Sequence, residues 1–235
     1  MNYFDLIKKR RSVRKFTEDK VPDEIIRKCL KAALLAPNSS NLQPWEFYWI
    51  KNDTTKKQLV KACFSQSAAR TAQQLIVCVS RIDTWKRNKN LIIEDYKKKG
   101  KLIPIVDRYY NKLIPLIYFN DSIGIIGLFK KIIYSILSVI GLFKPILRSP
   151  ILKHELFEVV TKSTALACQN IMMGLVAEGF DSCPMEGFDE KRVKRILKLN
   201  SKCHVVMILG IGKADANGVY GDRFRIDESL TIKEV

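Results

Sequence analysis

Two short basic segments at opposite ends of the chain carry the clearest chemistry in this sequence. The first is Arg10-Arg11-Ser12-Val13-Arg14, and the second is Arg223 and Arg225 within DRFRID. In an extended backbone alternate residues share a face, so Arg10, Ser12 and Arg14 project together, and Arg223 and Arg225 do the same. Guanidinium groups around a hydroxyl suit a phosphate, because arginine presents a planar, bidentate set of donors. Each pair taken separately also fits a solvated basic face or strand edge.

Two further segments offer neutral chemistry. Pro37-Asn38-Ser39-Ser40-Asn41-Leu42-Gln43-Pro44-Trp45 places amide and hydroxyl groups between two prolines, with an aromatic anchor at its end. Such a loop can read a polar ring or a sugar chain, or simply satisfy the backbone of a helix-to-strand connection. Pro184-Met185-Glu186-Gly187 combines a stiffening proline with a glycine that allows close backbone approach. By itself it is a turn before a helix.

The four segments in this order resemble the FMN-dependent nitroreductase family: RRSVR, then Ala32 to Trp45, then a long apolar helix ending in EGFDSCPMEGFD, then RxR. The resemblance covers about residues 1–80 and 152–228. It implies an α+β fold, a central mixed or antiparallel sheet flanked by helices, in an intertwined homodimer with FMN at the subunit interface. It further implies that Arg10, Arg11, Ser12 and Arg14 hold the phosphate and the ribityl or pyrimidine side, with Arg223 and Arg225 completing the phosphate end. Asn38, Ser40 and Asn41 would reach the flavin of the other subunit. Pro184, Met185, Glu186 and Gly187 would line the cofactor, with the backbone N–H groups of Glu186 and Gly187 toward flavin N5. Gln66 or Arg70 could meet the pyrimidine, and neither is chosen. Arg14, near N1 and O2, would stabilise the reduced flavin. The implied reaction is ping-pong hydride transfer from NAD(P)H through N5 to an organic acceptor such as a nitroaromatic or quinone. Desaturation or reductive dehalogenation on the same fold is the first alternative, and a basic protein that binds nucleic acid or a membrane surface is the second. No protein side chain is assigned as general acid, since the flavin carries the hydride chemistry. His154 and His204, the only histidines, read as structural.

The elements that would position these residues are legible from periodicity and punctuation. Helices are expected over Asn2 to Lys9, from Pro22 through Leu34, from Asp53 to about Arg70, through Trp85 to Lys99, from Leu152 to Glu178 with Gly179 closing it, and over Asp189 to Leu199. Strands are expected over Trp45 to Ile50, Leu75 to Val79 and Val205 to Leu209. One domain over residues 1–235 accommodates them, with an apolar helical insertion at about 101–150. There the motif IGLFK occurs at Ile126 to Lys130 and again at Ile140 to Lys144. A 14-residue offset is close to four helical turns, so one helix would show both copies on one face. Helices packing on the core or on a partner subunit fit this pattern better than a membrane-surface pair with Lys130, Lys131, Lys144 and Arg148 at the headgroups.

Composition narrows the classes. With 47% apolar residues the 235-residue chain can bury a core, which excludes a disordered chain. The formal charge of +17 favours an anionic partner. The basic runs YKKKGK and KRVKR lack interleaved aromatics, so no nucleic-acid partner is expected. Six scattered cysteines without a CxxC pair give no metal site or redox pair and point to a reducing cytoplasm. The N-terminus does not read as a signal peptide. Gly210-Ile211-Gly212 lacks the third glycine of a dinucleotide fingerprint.

Overall fold

The sheet at the centre of the molecule owes its position to two strands that are apolar at nearly every residue. In this computed structural model, which describes residues 2–119, 125–146, 149–150 and 152–235, the strands are β1 (Trp45–Ile50), β2 (Gln74–Arg81), β3 (Asp181–Met185) and β4 (Cys203–Gly212). They run in the order β1-β2-β4-β3 with every neighbour antiparallel. Leu75, Val77 and Val79 of β2 enter the core on one face, while Ile76 and Cys78 enter the core on the other. This is the two-residue alternation of a strand covered on both sides. Each such side chain contributes about 1.5–3 kcal/mol on burial.

Helices α1 (Tyr3–Lys9), α2 (Asp23–Ala33), α3 (Asp53–Ala62), α4 (Ser67–Thr71) and α5 (Trp85–Lys98) fill the first half. α6 (Pro104–Arg108), a π turn at Tyr109–Leu113 and α7 (Ile114–Tyr118) follow. α8 (Ile125–Ile140), α9 (Lys153–Ala177) and α10 (Glu190–Ile196) complete the set. The 25-residue α9 lies across the sheet against α2. The two helices approach so closely that a Cβ at Gly174 would sit 3.1 Å from Cys29 Sγ. Gly179, at φ +82°, ends α9 as its position after the helix requires.

Three expectations change. The helix from Asp53 to Arg70 is two helices, because Phe64 and Ser65 turn with positive φ after α3. Pro184 and Met185, expected in a turn before a helix, end the edge strand β3, DSCPM. Proline is tolerated there because its pair with Leu209 needs no N–H from it. The two IGLFK copies do not share a helix: α8 stops at Ile140 and the second copy forms a turn.

The first part of the 101–150 segment packs on the core. Tyr110, Ile114 and Tyr118 join Ile82, Ile93, Leu156 and Val160 in a third core cluster. α8 does not pack on the core. Leu128, Phe129, Ile132, Ile133 and Ile136 are exposed. Arg148, assigned to the headgroups, lies outside the described residues.

Candidate functional site

Residues 10–16 run past the open edge of β3. Ser12 forms a parallel bridge to Ser182, and the Val13 N–H donates to the Ser182 carbonyl at 3.1 Å. Val13 and Phe16 are buried in the core, which turns Ser12 and Arg14 away from it. The far end of the chain returns to the same place. The Arg14 N–H donates to the Gly218 carbonyl at 2.6 Å, and the Asp215 N–H donates to the Lys15 carbonyl at 3.0 Å. Only glycine fits at 218, where a Cβ would lie 2.5 Å from the Lys15 carbonyl oxygen.

This pairing brings both basic segments to one cleft of about 210 Å³. Arg10, Arg11, Ser12, Arg14, Arg223 and Arg225 all line it, joined by Tyr220, Phe224 and the carboxylate Asp222. Backbone carbonyls hold the guanidinium groups in place. Arg223 Nη2 donates to the Arg10 carbonyl at 2.6 Å, and Arg11 Nη2 to the Gly221 carbonyl at 2.8 Å. Arg14 lies over the Tyr220 ring, 5.3 Å from its centroid. None of these five arginines forms an ion pair among the described residues. The Arg10 guanidinium is pushed below the usual arginine range by burial first, then by Arg223, Arg225 and Arg11. Five converging cations against one carboxylate, Asp222, leave the cleft suited to a multiply charged anion. Strict alternation would have turned Arg11 away. It lines the cleft because residues 10 and 11 follow directly on the end of α1, whose last N–H bond is from Arg10 to Leu6.

Pro184 and Met185 lie further along β3, on from Ser182, with Met185 buried in the core. Glu186 and Gly187 are exposed at the end of that strand. Gln66, left open against Arg70 in the sequence, donates from Nε2 to the Gly187 carbonyl at 2.9 Å and to the Cys63 carbonyl at 3.2 Å. Its side chain fixes the tip of β3 to the turn after α3. Arg70 is exposed.

The loop at 38–41 is not part of the arginine cleft. Asn38 is consumed locally, accepting the Gln43 N–H at 2.7 Å and donating to the Ala36 carbonyl at 3.2 Å. Ser40, at φ +56°, places its hydroxyl 2.6 Å from the Tyr109 hydroxyl. Asn41 faces a second cleft of about 500 Å³ between the loop and α5, beside Gln43 and Asn88. His204 meets Glu190 at 3.1 Å and stacks edge-on with Phe157, a structural role.

Tyr220 and Phe224 were missed in the sequence. Their only signal was proximity to Arg223 and Arg225, since an aromatic beside a glycine has no characteristic spacing. Ser182 was missed as well: its hydroxyl is buried without a partner among the described residues, on the strand that Ser12 joins.

The fold and the cleft define an α+β protein with a cationic, anion-binding site, and comparison with known proteins supplies the family. The sequence model of the nitroreductase family matches residues 7–101 and 154–213, well over half of the chain, and the chain belongs to that family. It is 27% identical to Protein DrgA of Synechocystis over 91% of this chain and 84% of the relative. It is 25% identical to a protein of Thermus thermophilus named NADH dehydrogenase, over 93% and 90% of the two chains. A solved nitroreductase-type structure from Exiguobacterium sibiricum, described as a complex with FMN, superposes with a TM-score of 0.70 at 22% identity, covering 100% of this chain and 98% of that one. That end-to-end match corrects the expectation of a long insertion at 101–150. The segment falls outside the family's sequence model, yet it adds no length that the solved structure lacks. What differs there is sequence, which the apolar run made look like extra chain.

Proposed function

We propose that the protein is an NAD(P)H-dependent oxidoreductase with FMN as its cofactor, and that the five-arginine cleft holds the FMN phosphate. The observation that carries this reading is the convergence of Arg10, Arg11, Arg14, Arg223 and Arg225 on one cleft, where a single carboxylate, Asp222, lies beside five cations and forms no ion pair with them among the described residues. A dianionic phosphate relieves their mutual repulsion and fits their donors. Family membership supports the same cofactor.

A cleft of about 210 Å³ is smaller than the roughly 300–1,000 Å³ of sites that enclose a cofactor-sized ligand. It therefore takes only the phosphate end. Pro184, Met185, Glu186 and Gly187 at the end of β3 would hold the ring portion, and Asn38, Ser40 and Asn41 of a second copy would close the other side. Bound FMN supplies two-electron hydride chemistry, from NAD(P)H to a small organic acceptor in a ping-pong cycle. The protein's own part is positioning. Arg14, held over Tyr220, sets positive charge beside β3, Gln66 fixes the strand tip through the Gly187 carbonyl, and the exposed residues Glu186 and Gly187 would offer their backbone N–H groups to the flavin. Six free, buried cysteines support a reducing cytoplasmic setting.

Titration of the apoprotein with FMN, followed by flavin fluorescence, tests the assignment. Arg225→Ala removes one charge-assisted contact of about 1.5–3 kcal/mol, so affinity falls roughly ten- to a hundredfold. Unchanged affinity overturns the phosphate site.

A further inference from the structure

α8 is an amphipathic helix turned inside out. At about 100° per residue, Leu128, Phe129, Ile132, Ile133, Ile136 and Val139 fall within a single arc of roughly 140°. All six are exposed, Phe129 at 62% and Ile136 at 65%. The opposite side carries Gly127, Lys130, Tyr134 and Ser138, and this polar side is the one that meets the protein. These four are half-buried, and Lys130 Nζ donates to the Ile117 carbonyl at 2.9 Å. The apolar surface continues past the helix end through Leu142 and Phe143, the latter 84% exposed.

An apolar face of this size in water marks an interaction surface. Its charge indicates the occupant. Between Asp121 and Glu155 the sequence holds no acidic residue, while Lys131 and Lys144 are exposed beside the apolar arc. An isologous contact of this segment with itself in a second copy would bring no carboxylate to Lys131 or Lys144, since neither copy of the segment holds one. An anionic lipid surface meets both demands at once. Its acyl region accepts the isoleucines and phenylalanines, and its headgroups pair with the lysines. No helix among the described residues is long and apolar enough to cross a membrane, so the helix would lie in the interface.

We propose that α8 and the following turn dock the protein on an anionic bilayer surface, with Phe129, Ile133, Ile136 and Phe143 inserted and Lys131 and Lys144 at the headgroups. Lys130 is excluded from the headgroup set because its ammonium is tied to the body of the protein.

The test is co-sedimentation of the full-length protein with vesicles of mixed phosphatidylcholine and phosphatidylglycerol, beside vesicles of phosphatidylcholine alone. The protein should partition onto the anionic vesicles, more weakly at high salt. Ile133→Glu/Ile136→Glu should lower that partition by at least about tenfold with an unchanged melting temperature, both positions being exposed. Lys131→Glu/Lys144→Glu should reduce partition onto the anionic vesicles alone. Three results overturn the proposal. One is no partition. Another is equal partition of the isoleucine variant, which would assign binding to net charge elsewhere. The third is loss of a dimer in sedimentation velocity by that variant without loss of vesicle binding, which would assign the face to a second copy.

Discussion

Arginine is used in two opposite ways in this chain. Arg81, on β2, donates from Nε and Nη2 to both oxygens of Asp83 at 2.9 Å and from Nη1 to Glu46 at 2.6 Å. Its guanidinium is raised above the ordinary arginine range, chiefly by the hydrogen bonds to Asp83. Tyr48 and Asn200 satisfy the same carboxylates. Arg10 sits among Arg11, Arg223 and Arg225 and is shifted the other way, by burial and by those neighbours. A cation closed by carboxylates on its own chain has nothing left to offer a ligand. A cluster of cations that forms no ion pair among the described residues keeps its charge for an anion that the chain does not supply.

The contrast can be broken most directly at the cleft. Arg10→Ala/Arg225→Ala removes two charge-assisted contacts, each about 1.5–3 kcal/mol, so FMN affinity should fall more than a hundredfold by fluorescence titration. The melting temperature of the apoprotein should hold or rise, because like-charge repulsion is relieved. A large fall in that temperature would show that the cluster is structural, as Arg81 is.

The reverse pattern belongs to Asp83→Ala, which should cost about 2 kcal/mol of stability in urea unfolding and leave FMN affinity unchanged. Burial works against the Asp83 carboxylate, but its bonds to Arg81 and Asn200 outweigh this and hold it below the usual range. A depressed carboxyl contributes stability above its unfolded value near about 3.9 and loses it as pH falls through the lower folded value. The wild type should therefore lose this increment in acid, and Asp83→Asn should flatten that part of the pH–stability curve.

The smallest effect is expected at Gln66. Gln66→Ala frees the Gly187 carbonyl and should weaken FMN binding by less than about tenfold, near 1 kcal/mol. A loss as large as that of the arginines would move the centre of the site from the cleft to the tip of β3.

Much of this architecture was legible in the residues. β1 was read with its observed ends, because Trp45 to Ile50 is bounded by Pro44 and by the polar start of α3. α9 and its stop at Gly179 followed from apolar periodicity and a glycine able to take positive φ. β3 was not legible. Five residues with a proline carry no alternation, and their strand character comes from pairing with β4 and from Val13 on the outer edge. The fate of α8 was not legible either, since an apolar repeat gives a helix its stripe without saying which way the stripe faces.

The sequence by itself determined which side chains could hold an anion and where the longer helices and the apolar strands lie, because residue type and short-range spacing act within a few residues. Only the tertiary structure decided that Arg10 and Arg225 meet, through the backbone bonds of residues 14 and 15 to residues 215 and 218. It also decided that α8 turns its apolar side outward. Both depend on contacts distant in sequence, whose geometry no local pattern encodes.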